Sequence, residues 1–200
     1  MRKFKDHLLR GLLWLSAFLT VAILVTIVGY IFMKGYKLIN FDFIFGDYSP
    51  VGHDGIWPMI VTTLYTIGIS LLIATPIGIL AAVYLQEYAK QGRLVKIIRY
   101  ATESLTGIPS IIYGLFGAVF FVTTLKLGMS IISASLTLTI IVLPVIIRTT
   151  EEALKTVPSS YREGSLALGS TKLQTLYKVI LPSAMPGILS GIILSIGRIV

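Results

Sequence analysis

Residues 148–182 read RTTEEALKTVPSSYREGSLALGSTKLQTLYKVILP and form a long, densely charged segment in an otherwise apolar chain. Two stretches in it, residues 160–163 (SYRE) and 171–174 (TKLQ), have the spacing of a helix capping box. Gly169 lies between them, where a short helix can end in a left-handed residue. The pattern predicts a helix, a glycine corner and a second helix, with Pro182 marking the return to the membrane. Such a polar helix pair between apolar spans indicates a docking element for a soluble partner.

The composition indicates a membrane protein. Of the 200 residues 55% are hydrophobic and 13% are charged, and the mean hydropathy is +0.87, whereas a soluble domain carries about 25% charged residues. The net charge of +8 could indicate nucleic-acid binding. However, the basic residues cluster at the ends of apolar spans, so membrane topology explains them and we expect no nucleic-acid partner.

Windows without charge predict an all-α polytopic bundle with about five transmembrane helices. Four such windows cover residues 11–33, 56–86, 104–125 and 127–147, and a fifth apolar span begins near Pro182 and reaches residue 200, with Arg198 near its end. The first is too long for the core of a signal peptide and is followed by no A-x-A cleavage pattern, so we expect a retained helix. The fifth has no flanking anchor after it, so we expect a chain that is truncated at its C-terminus. One domain boundary is predicted, between a first span with its outer loop (1–55) and a four-span core (56–200).

The distribution of Lys and Arg predicts the orientation. The N-terminus, the second connection and the central segment hold four, four and five of them, whereas the two intervening connections hold two and one. By the positive-inside rule the N-terminus, the second connection and residues 148–182 lie in the cytoplasm, and membrane lipid is the expected partner of the spans.

Catalytic and metal-binding motifs are absent from the sequence. There is no P-loop, no H-E-x-x-H, no G-x-S-x-G and no cysteine. The two histidines, His7 and His53, are predicted on opposite sides of the membrane and cannot share a metal. We therefore expect a chain that is not an enzyme and that holds no cofactor.

The central segment resembles the EAA loop of ABC importer membrane subunits, which has the form E-A-A-x3-G-x9-I-x-L-P. Glu163, Gly169, Leu181 and Pro182 fit this spacing, while Gly164 and Ser165 stand where Ala is usual. Further stretches are similar to the phosphate-specific transport permeases of the PstA type. They are GIWPMIVTTLY (55–65), PIGILAAVYLQEYAK (76–90), GIPSIIYGLFG (107–117), LPVIIRTTEEALKTVP (143–158) and the closing LSIGRIV.

This resemblance implies a bundle of the ABC type-1 (MetI-like) kind, acting as a subunit of an inorganic phosphate importer in the bacterial inner membrane. It implies a PstC-type sister permease, a PstS-type external phosphate-binding protein and a PstB-type ATPase dimer that hydrolyses the ATP. The ATPase would contact residues 160–182, through Glu163, Gly164, Ser165, Gly169, Leu181 and Pro182. Glu163 has an alternative, purely structural interpretation as a capping residue. Alternatives for the whole chain are a permease for molybdate, sulfate or phosphonate, or an ATP-independent carrier or channel.

Three residues are predicted along the substrate path. Arg148 ends the fourth span and Glu151 follows at i+3, a spacing at which the two can pair on one helix face. The resemblance associates this stretch with the transport path, although Arg148 could equally be a cytoplasmic anchor. Arg198 lies roughly 24 Å into the fifth span at about 1.5 Å per residue. A guanidinium there either snorkels to the interface or offers hydrogen phosphate a bidentate donor, and we favour the second.

Two patterns concern the shape and packing of the spans. Residues 107–110 (GIPS) interrupt the third span, because Pro109 breaks helical hydrogen bonding. The stretch either is a broken helix that lines a cavity or packs closely on a neighbour through Gly107, Gly114 and Gly117. Residues 187–191 form a G-x-x-x-G, which predicts a close helix contact, either within the chain or with the sister permease.

Overall fold

A computed structural model describes residues 2–49 and 53–200, and these form two compact units, Met1–Ile60 and Val61–Val200. The first unit consists of one long helix followed by a compact turn region that leads into α3. Its elements are α1 (Arg2–Gly35), a 3-10 turn (Tyr36–Leu38), α2 (Phe41–Phe45), β1 (Tyr48–Ser49) and β2 (His53–Asp54). The two strands pair antiparallel, and Asn40 caps α2 by accepting a hydrogen bond from the backbone N–H of Phe43 at 2.7 Å.

The second unit is built from helices throughout its described residues. Three of them pass directly into π-helical turns, where the hydrogen-bond pattern widens by one residue. The elements are α3 (Trp57–Val83) with a π turn (Tyr84–Tyr88), α4 (Arg93–Thr106), α5 (Ser110–Gly117) with a π turn (Ala118–Thr124), α6 (Ile131–Thr156), α7 (Ser159–Ala167), α8 (Lys172–Thr175) with a π turn (Leu176–Ile180), and α9 (Leu181–Ile199). The predicted all-α class is confirmed.

Among the described residues, four helical segments have the length and apolar composition of membrane spans. They are Leu9–Leu38, Trp57–Tyr88, Ile131–Thr156 and Lys172–Ile199. A fifth is present if α4 and α5 with its π turn count as one broken span, bent by 95°. The predicted interruption at residues 107–110 is therefore confirmed, because Pro109 stands in extended backbone as the N-cap of α5.

The helices of the fourth and fifth spans extend beyond the predicted apolar windows. The fourth span does not end at residue 147, because α6 continues to Thr156. The sequence between them contains no glycine or proline and is rich in helix formers, so the helix stops only before Pro158. Pro182 lies at the start of α9, as predicted, but the chain is already helical before it. One helical segment runs from Lys172 to Ile199, and Pro182 lies in the first turn of α9, after the π turn.

Helices α6 and α9 pack closely against each other through the predicted glycine pair. A Cβ atom at Gly187 would lie 2.6 Å from the Cβ of Ala153, and one at Gly191 would overlap the side chain of Thr149. These glycines let the two helices approach to a distance that any other residue would prevent. The predicted helix contact at residues 187–191 is thus confirmed, and it lies within the chain. Beside it lies a buried apolar cluster formed by Val83, Ala153, Leu154, Val157, Leu176, Ile180, Ala184 and Ile188.

The contact between α3 and α6 combines close packing with polar side chains. A Cβ atom at Gly78 would lie 2.7 Å from Cγ2 of Ile146. Further along, Ser70 Oγ donates to the carbonyl of Ser135 at 3.0 Å, and Thr139 Oγ1 donates to the carbonyl of Ser70 at 3.3 Å. Hydroxyls that bond between helices in this way hold helices together in lipid, where the hydrophobic effect does not.

Candidate functional site

The segment after α6 folds as the predicted helix, corner and helix. Helix α7 ends near Leu168, and Gly169 has φ +85°, a left-handed conformation that favours glycine. Thr171 then caps α8 with a full capping box. Its hydroxyl accepts from the Gln174 N–H at 3.2 Å, and its own N–H donates to Gln174 Oε1 at 2.9 Å. We call α7, the corner and α8 the coupling segment (residues 159–175).

The other predicted capping box, at residues 160–163, is wrong. Pro158 is the N-cap of α7 and makes no side-chain cap hydrogen bond, so the helix starts at Ser159 and Ser160 lies inside its first turn. The pyrrolidine ring restricts Pro158 to a backbone conformation that suits the residue before a helix. The helix therefore starts directly after Pro158, upstream of the start that a cap at Ser160 would give. Glu163 is therefore released from a capping function. Its side chain is exposed and has no partner in the part of the chain that the structure describes.

Arg162 fixes the coupling segment to two spans at once. Its guanidinium forms an ion pair with Glu87, in the π turn at the end of α3, with Nη2 2.7 Å from Oε1. It also donates to the carbonyls of Leu154 and Val157 at 2.9 and 2.8 Å. These carbonyls belong to the C-terminal end of α6, where intrahelical donors run out. We call this arrangement the Arg162 clamp.

Two weaker contacts support the Arg162 clamp. The ammonium group of Lys172 lies 4.6 Å from the ring centroid of Tyr88, so α8 also contacts the end of α3 through a cation–π interaction. The hydroxyls of Ser165 and Thr175 lie 2.9 Å apart and join α7 to α8. The coupling segment is thereby held as a unit against the ends of α3 and α6.

A charged cluster lies where α4 crosses α6. Arg99 pairs with Glu151 at 3.0 Å, while Arg148 pairs with Glu103 at 2.9 Å and with Glu152 at 3.2 Å. The predicted pair between Arg148 and Glu151 is therefore wrong. Glu151 is only 6% exposed and faces α4, whereas Arg148 lies on the more exposed side of α6 and meets the residue at i+4.

Arg99 is the most extensively bonded cation of this cluster. Besides Glu151 it donates to Gln91 Oε1 at 3.1 Å, to Gln86 Oε1 at 3.2 Å and to the Leu85 carbonyl at 3.5 Å. The cluster lines a cavity of about 160 Å³ between the end of α3, α4 and α6. Burial of Glu151 is tolerated because Arg99 compensates its charge.

Arg198 and Arg148 line one cleft. Arg198 is exposed, and its Nη2 donates to the carbonyl of Thr106 at the end of α4 at 3.3 Å. The cleft has a volume of about 730 Å³ and also includes Glu152 and the hydroxyl-bearing Thr149. Of the three residues predicted along the substrate path, the structure brings these two arginines together. Glu151 is absent from the lining of that cleft and belongs to the neighbouring cavity, which Arg148 also lines.

The six predicted coupling residues fall into two groups. Glu163 and Gly164 are exposed on α7, Ser165 bonds to Thr175, and Gly169 forms the corner. Leu181 and Pro182 lie at the start of α9, where Leu181 packs against the buried apolar cluster. The residues on α7 and at the corner thus lie toward the outside of the coupling segment. The residues at the start of α9 connect this segment to a span.

No motif marks Arg99, Glu103 or Glu87, although each forms an ion pair in this region. The partners lie 45 to 75 residues apart in the chain, so no local spacing relates them. One signal is present for Glu87. It is a carboxylate directly after a predicted span, and a charge at the edge of the apolar region is stabilised by a partner of opposite charge.

Comparison with known proteins identifies related chains. The sequence profile of the family described as "Binding-protein-dependent transport system inner membrane component" matches residues 74–200. The probable ABC transporter permease protein YqgI of Bacillus subtilis is 38% identical over 99% of this chain and 68% of its own length. The phosphate transport system permease protein PstA of Pasteurella multocida is 35% identical over 99% of this chain and 71% of its own.

Other relatives are matched over a smaller part of their length. The permease PstA 1 of Mycobacterium tuberculosis is 40% identical over 73% of this chain, and this chain spans 48% of that protein. Among solved structures, the MetNI methionine ABC transporter in an inward-facing conformation matches with a TM-score of 0.60 and 25% identity. That match covers 72% of this chain and 68% of the MetNI chain.

Proposed function

Because the chain belongs to the family of binding-protein-dependent transport system inner membrane components, we propose that it is the membrane permease subunit of an ATP-driven inorganic phosphate importer. Membrane-spanning helices and ABC permease relatives support the general class. The choice of phosphate rests on the relatives that are phosphate transport system permeases, at 31–40% identity. Residues 1–55 would form an N-terminal helix with an external loop, and residues 56–200 the permease core.

The observation that supports coupling to a separate ATPase is the Arg162 clamp. A motor that moves α7 would move the ends of α3 and α6 with it, because one guanidinium bonds to Glu87, Leu154 and Val157. Rigid-body displacement of this kind can shift a helix bundle between inward-open and outward-open arrangements. The exposed Glu163 and Gly164 would contact the ATPase, and hydrolysis would take place in that partner.

The substrate path would follow the cleft that contains Arg148 and Arg198. Hydrogen phosphate is a dianion, and it needs positive charge and N–H donors along its route, which guanidinium groups supply. Glu151 would act indirectly, by holding Arg99 and therefore α4. The complete transporter would pair this subunit with a sister permease and would receive phosphate from an external binding protein. The N-terminus and the coupling segment would lie on the cytoplasmic side.

Reconstitution tests the proposed substrate. The full-length protein is assembled with its sister permease, ATPase and binding protein in proteoliposomes, and uptake of radiolabelled phosphate is measured with and without ATP. We expect uptake that needs ATP and that excess unlabelled phosphate suppresses. Suppression by molybdate, sulfate or a phosphonate instead would assign another oxyanion. Uptake under an ion gradient without the ATPase would assign a carrier.

Labelling tests the proposed orientation. An impermeant amine reagent is applied to intact cells and to inverted membrane vesicles, and modification of Lys155 and Lys172 is read by mass spectrometry. We expect modification of these lysines in the vesicles alone. Modification in intact cells would place the coupling segment outside and would contradict the transporter assignment.

A further inference from the structure

Helix α4 (Arg93–Thr106) has three distinct faces. At about 100° of rotation per residue, Val95, Thr102 and Arg99 point toward α6, and Val95 is 3% exposed. A second face carries exposed apolar side chains. They are Leu94, Ile97, Ile98, Ala101 and Leu105, of which Leu94 is 72% exposed. The third face is polar and includes Lys96. A soluble protein would rarely leave such an aliphatic stripe beside a packed face.

Three cations surround the start of this apolar face. Lys90, Arg93 and Lys96 are all exposed, and none forms an ion pair within the described part of the chain. Arg99, one turn further on, differs because Glu151 neutralises it. The positive charge at this end of α4 is therefore available to an anion outside the chain.

The geometry places α4 across the direction of a neighbouring span. It follows the segment Trp57–Tyr88 and precedes Ser110–Thr124, from which it is turned by 95°. We take α5 with its π turn to follow the membrane normal, and a helix turned by 95° from it would then run along the membrane surface. Aliphatic residues on one face and Lys or Arg on another are the pattern of a helix that lies in the interface, with its apolar side among the acyl chains.

We propose that the apolar face of α4, together with Lys90, Arg93 and Lys96, is a binding surface for anionic phospholipid. The aliphatic side chains contact the acyl chains, and the cations contact the phosphate headgroups. A lipid fits this surface better than a protein partner, because unpaired lysines are depleted in protein interfaces and enriched beside anionic membranes. The inference depends on the membrane location of the chain and is independent of the transported substrate.

Site-directed spin labelling tests where the face lies. The 200 residues contain no cysteine, so Leu94→Cys introduces a single site, and Tyr100→Cys, 74% exposed on the polar side of α4 and outside the proposed surface, is the matched control. Each variant is assembled as the complete transporter in nanodiscs of phosphatidylcholine and phosphatidylglycerol in equal parts. We expect the label at position 94 to be accessible to oxygen and protected from a water-soluble nickel chelate, and the control label to show the reverse. Nickel access at position 94 would place the face in water, and protection from both reagents would place it against protein. Either result would overturn the proposal.

Photocrosslinking tests the preference for anionic lipid. A benzophenone probe attached at Leu94→Cys labels nearby lipids, and mass spectrometry compares phosphatidylglycerol with phosphatidylcholine adducts. We expect an excess of phosphatidylglycerol that falls by at least about fivefold in the additional Arg93→Gln/Lys96→Gln variant. The matched control, Lys155→Gln/Lys178→Gln, removes the same charge elsewhere and should leave the ratio unchanged. An equal ratio in the parent, or an equal fall in the control, would overturn a specific anionic-lipid surface on α4.

Discussion

Arg162 Nη2 lies 2.7 Å from Glu87 Oε1, and this ion pair joins α7 to the end of α3 across 75 residues of sequence. Both side chains are mostly buried, at 25% and 12% exposure. Because the same guanidinium also bonds to the end of α6, three elements meet at one side chain. A substitution of Arg162 should therefore weaken the mechanical coupling between α7 and the ends of α3 and α6.

The Arg162→Gln substitution should destabilise the transporter by about 3 kcal/mol, because it leaves the carboxylate of Glu87 mostly buried without a partner. It should also lower phosphate uptake more than it lowers ATP hydrolysis, since α7 would move without α3 and α6. Thermal unfolding, uptake and ATPase activity of the reconstituted complex measure the three effects.

The charge-reversed pair Glu87→Arg/Arg162→Glu provides the control. It restores the ion pair, but a carboxylate at position 162 cannot donate to the carbonyls of Leu154 and Val157. We therefore expect partial rescue. Full rescue would mean that the ion pair alone accounts for the effect of Arg162 and that its bonds to the α6 carbonyls contribute nothing. Uptake that is unaffected by Arg162→Gln would contradict the coupling function.

The Gly169→Ala substitution should weaken the coupling segment by about 1 kcal/mol, because φ +85° is unfavourable for a residue with a Cβ atom. A Cβ atom at Gly169 meets no other atom within 4 Å, so the effect is one of backbone conformation alone. Gly68→Ala is the matched control, since Gly68 lies within α3, outside the coupling segment, and also has open space around it. It should be neutral or slightly stabilising. Co-purification of the ATPase and ATP-driven uptake should fall in Gly169→Ala but not in the control. Equal results in both variants would mean that the conformation of the corner does not contribute to coupling.

Local sequence patterns predicted the features that depend on a few neighbouring residues. The capping box at Thr171, the left-handed Gly169 and the break before α5 each follow from a glycine, proline or hydroxyl whose effect extends over one turn. The start of α7 was misplaced for the same kind of reason, because Pro158 and Ser160 offer competing helix starts and the proline prevails.

The ion pairs could not be predicted in this way, because they depend on how helices distant in sequence cross. Residues 148 and 151 are neighbours on an ideal helix, yet Glu151 faces Arg99 and Arg148 faces Glu103. Amphipathic spacing on α6 alone does not say which of its faces α4 covers. The sequence shows which residues share a face of α6, but it does not show which helix packs against that face.

Substitutions at Glu151 and Glu152 should have different effects on stability. Glu151→Gln leaves Arg99 without a charge partner in a mostly buried site and should cost on the order of 2 kcal/mol. Glu152→Gln removes an exposed i,i+4 contact to Arg148 and should cost less than about 0.5 kcal/mol. Thermal unfolding of the two purified variants compares the costs directly. Equal costs would mean that burial of Glu151 is not what stabilises the crossing of α4 and α6.

If Arg198 lies on the proposed path, the Arg198→Gln substitution should lower phosphate uptake by roughly tenfold, because a charge-assisted hydrogen bond to the anion would be lost. Assembly should persist, since Arg198 is exposed and, among the described residues, donates to the Thr106 carbonyl alone, at 3.3 Å. Arg198→Lys keeps the charge but loses the bidentate geometry, so uptake should be intermediate. If uptake in the Arg198→Gln variant equals that of the parent protein, Arg198 is an interfacial anchor and not a residue of the substrate path.

The Gly187→Ala substitution should separate α6 from α9, because the new methyl group would lie 2.6 Å from the Cβ of Ala153 and 3.4 Å from its Cα. Backbone near the contact leaves little room for adjustment, so we expect a loss of about 1–3 kcal/mol in stability. Gly197→Ala, in the same helix, is the matched control. A Cβ atom there meets nothing within 4 Å, and the substitution should be neutral or stabilising. Thermal unfolding of both variants in the same nanodiscs makes the comparison. Equal stability would mean that α6 and α9 tolerate a wider separation than their glycine contacts indicate.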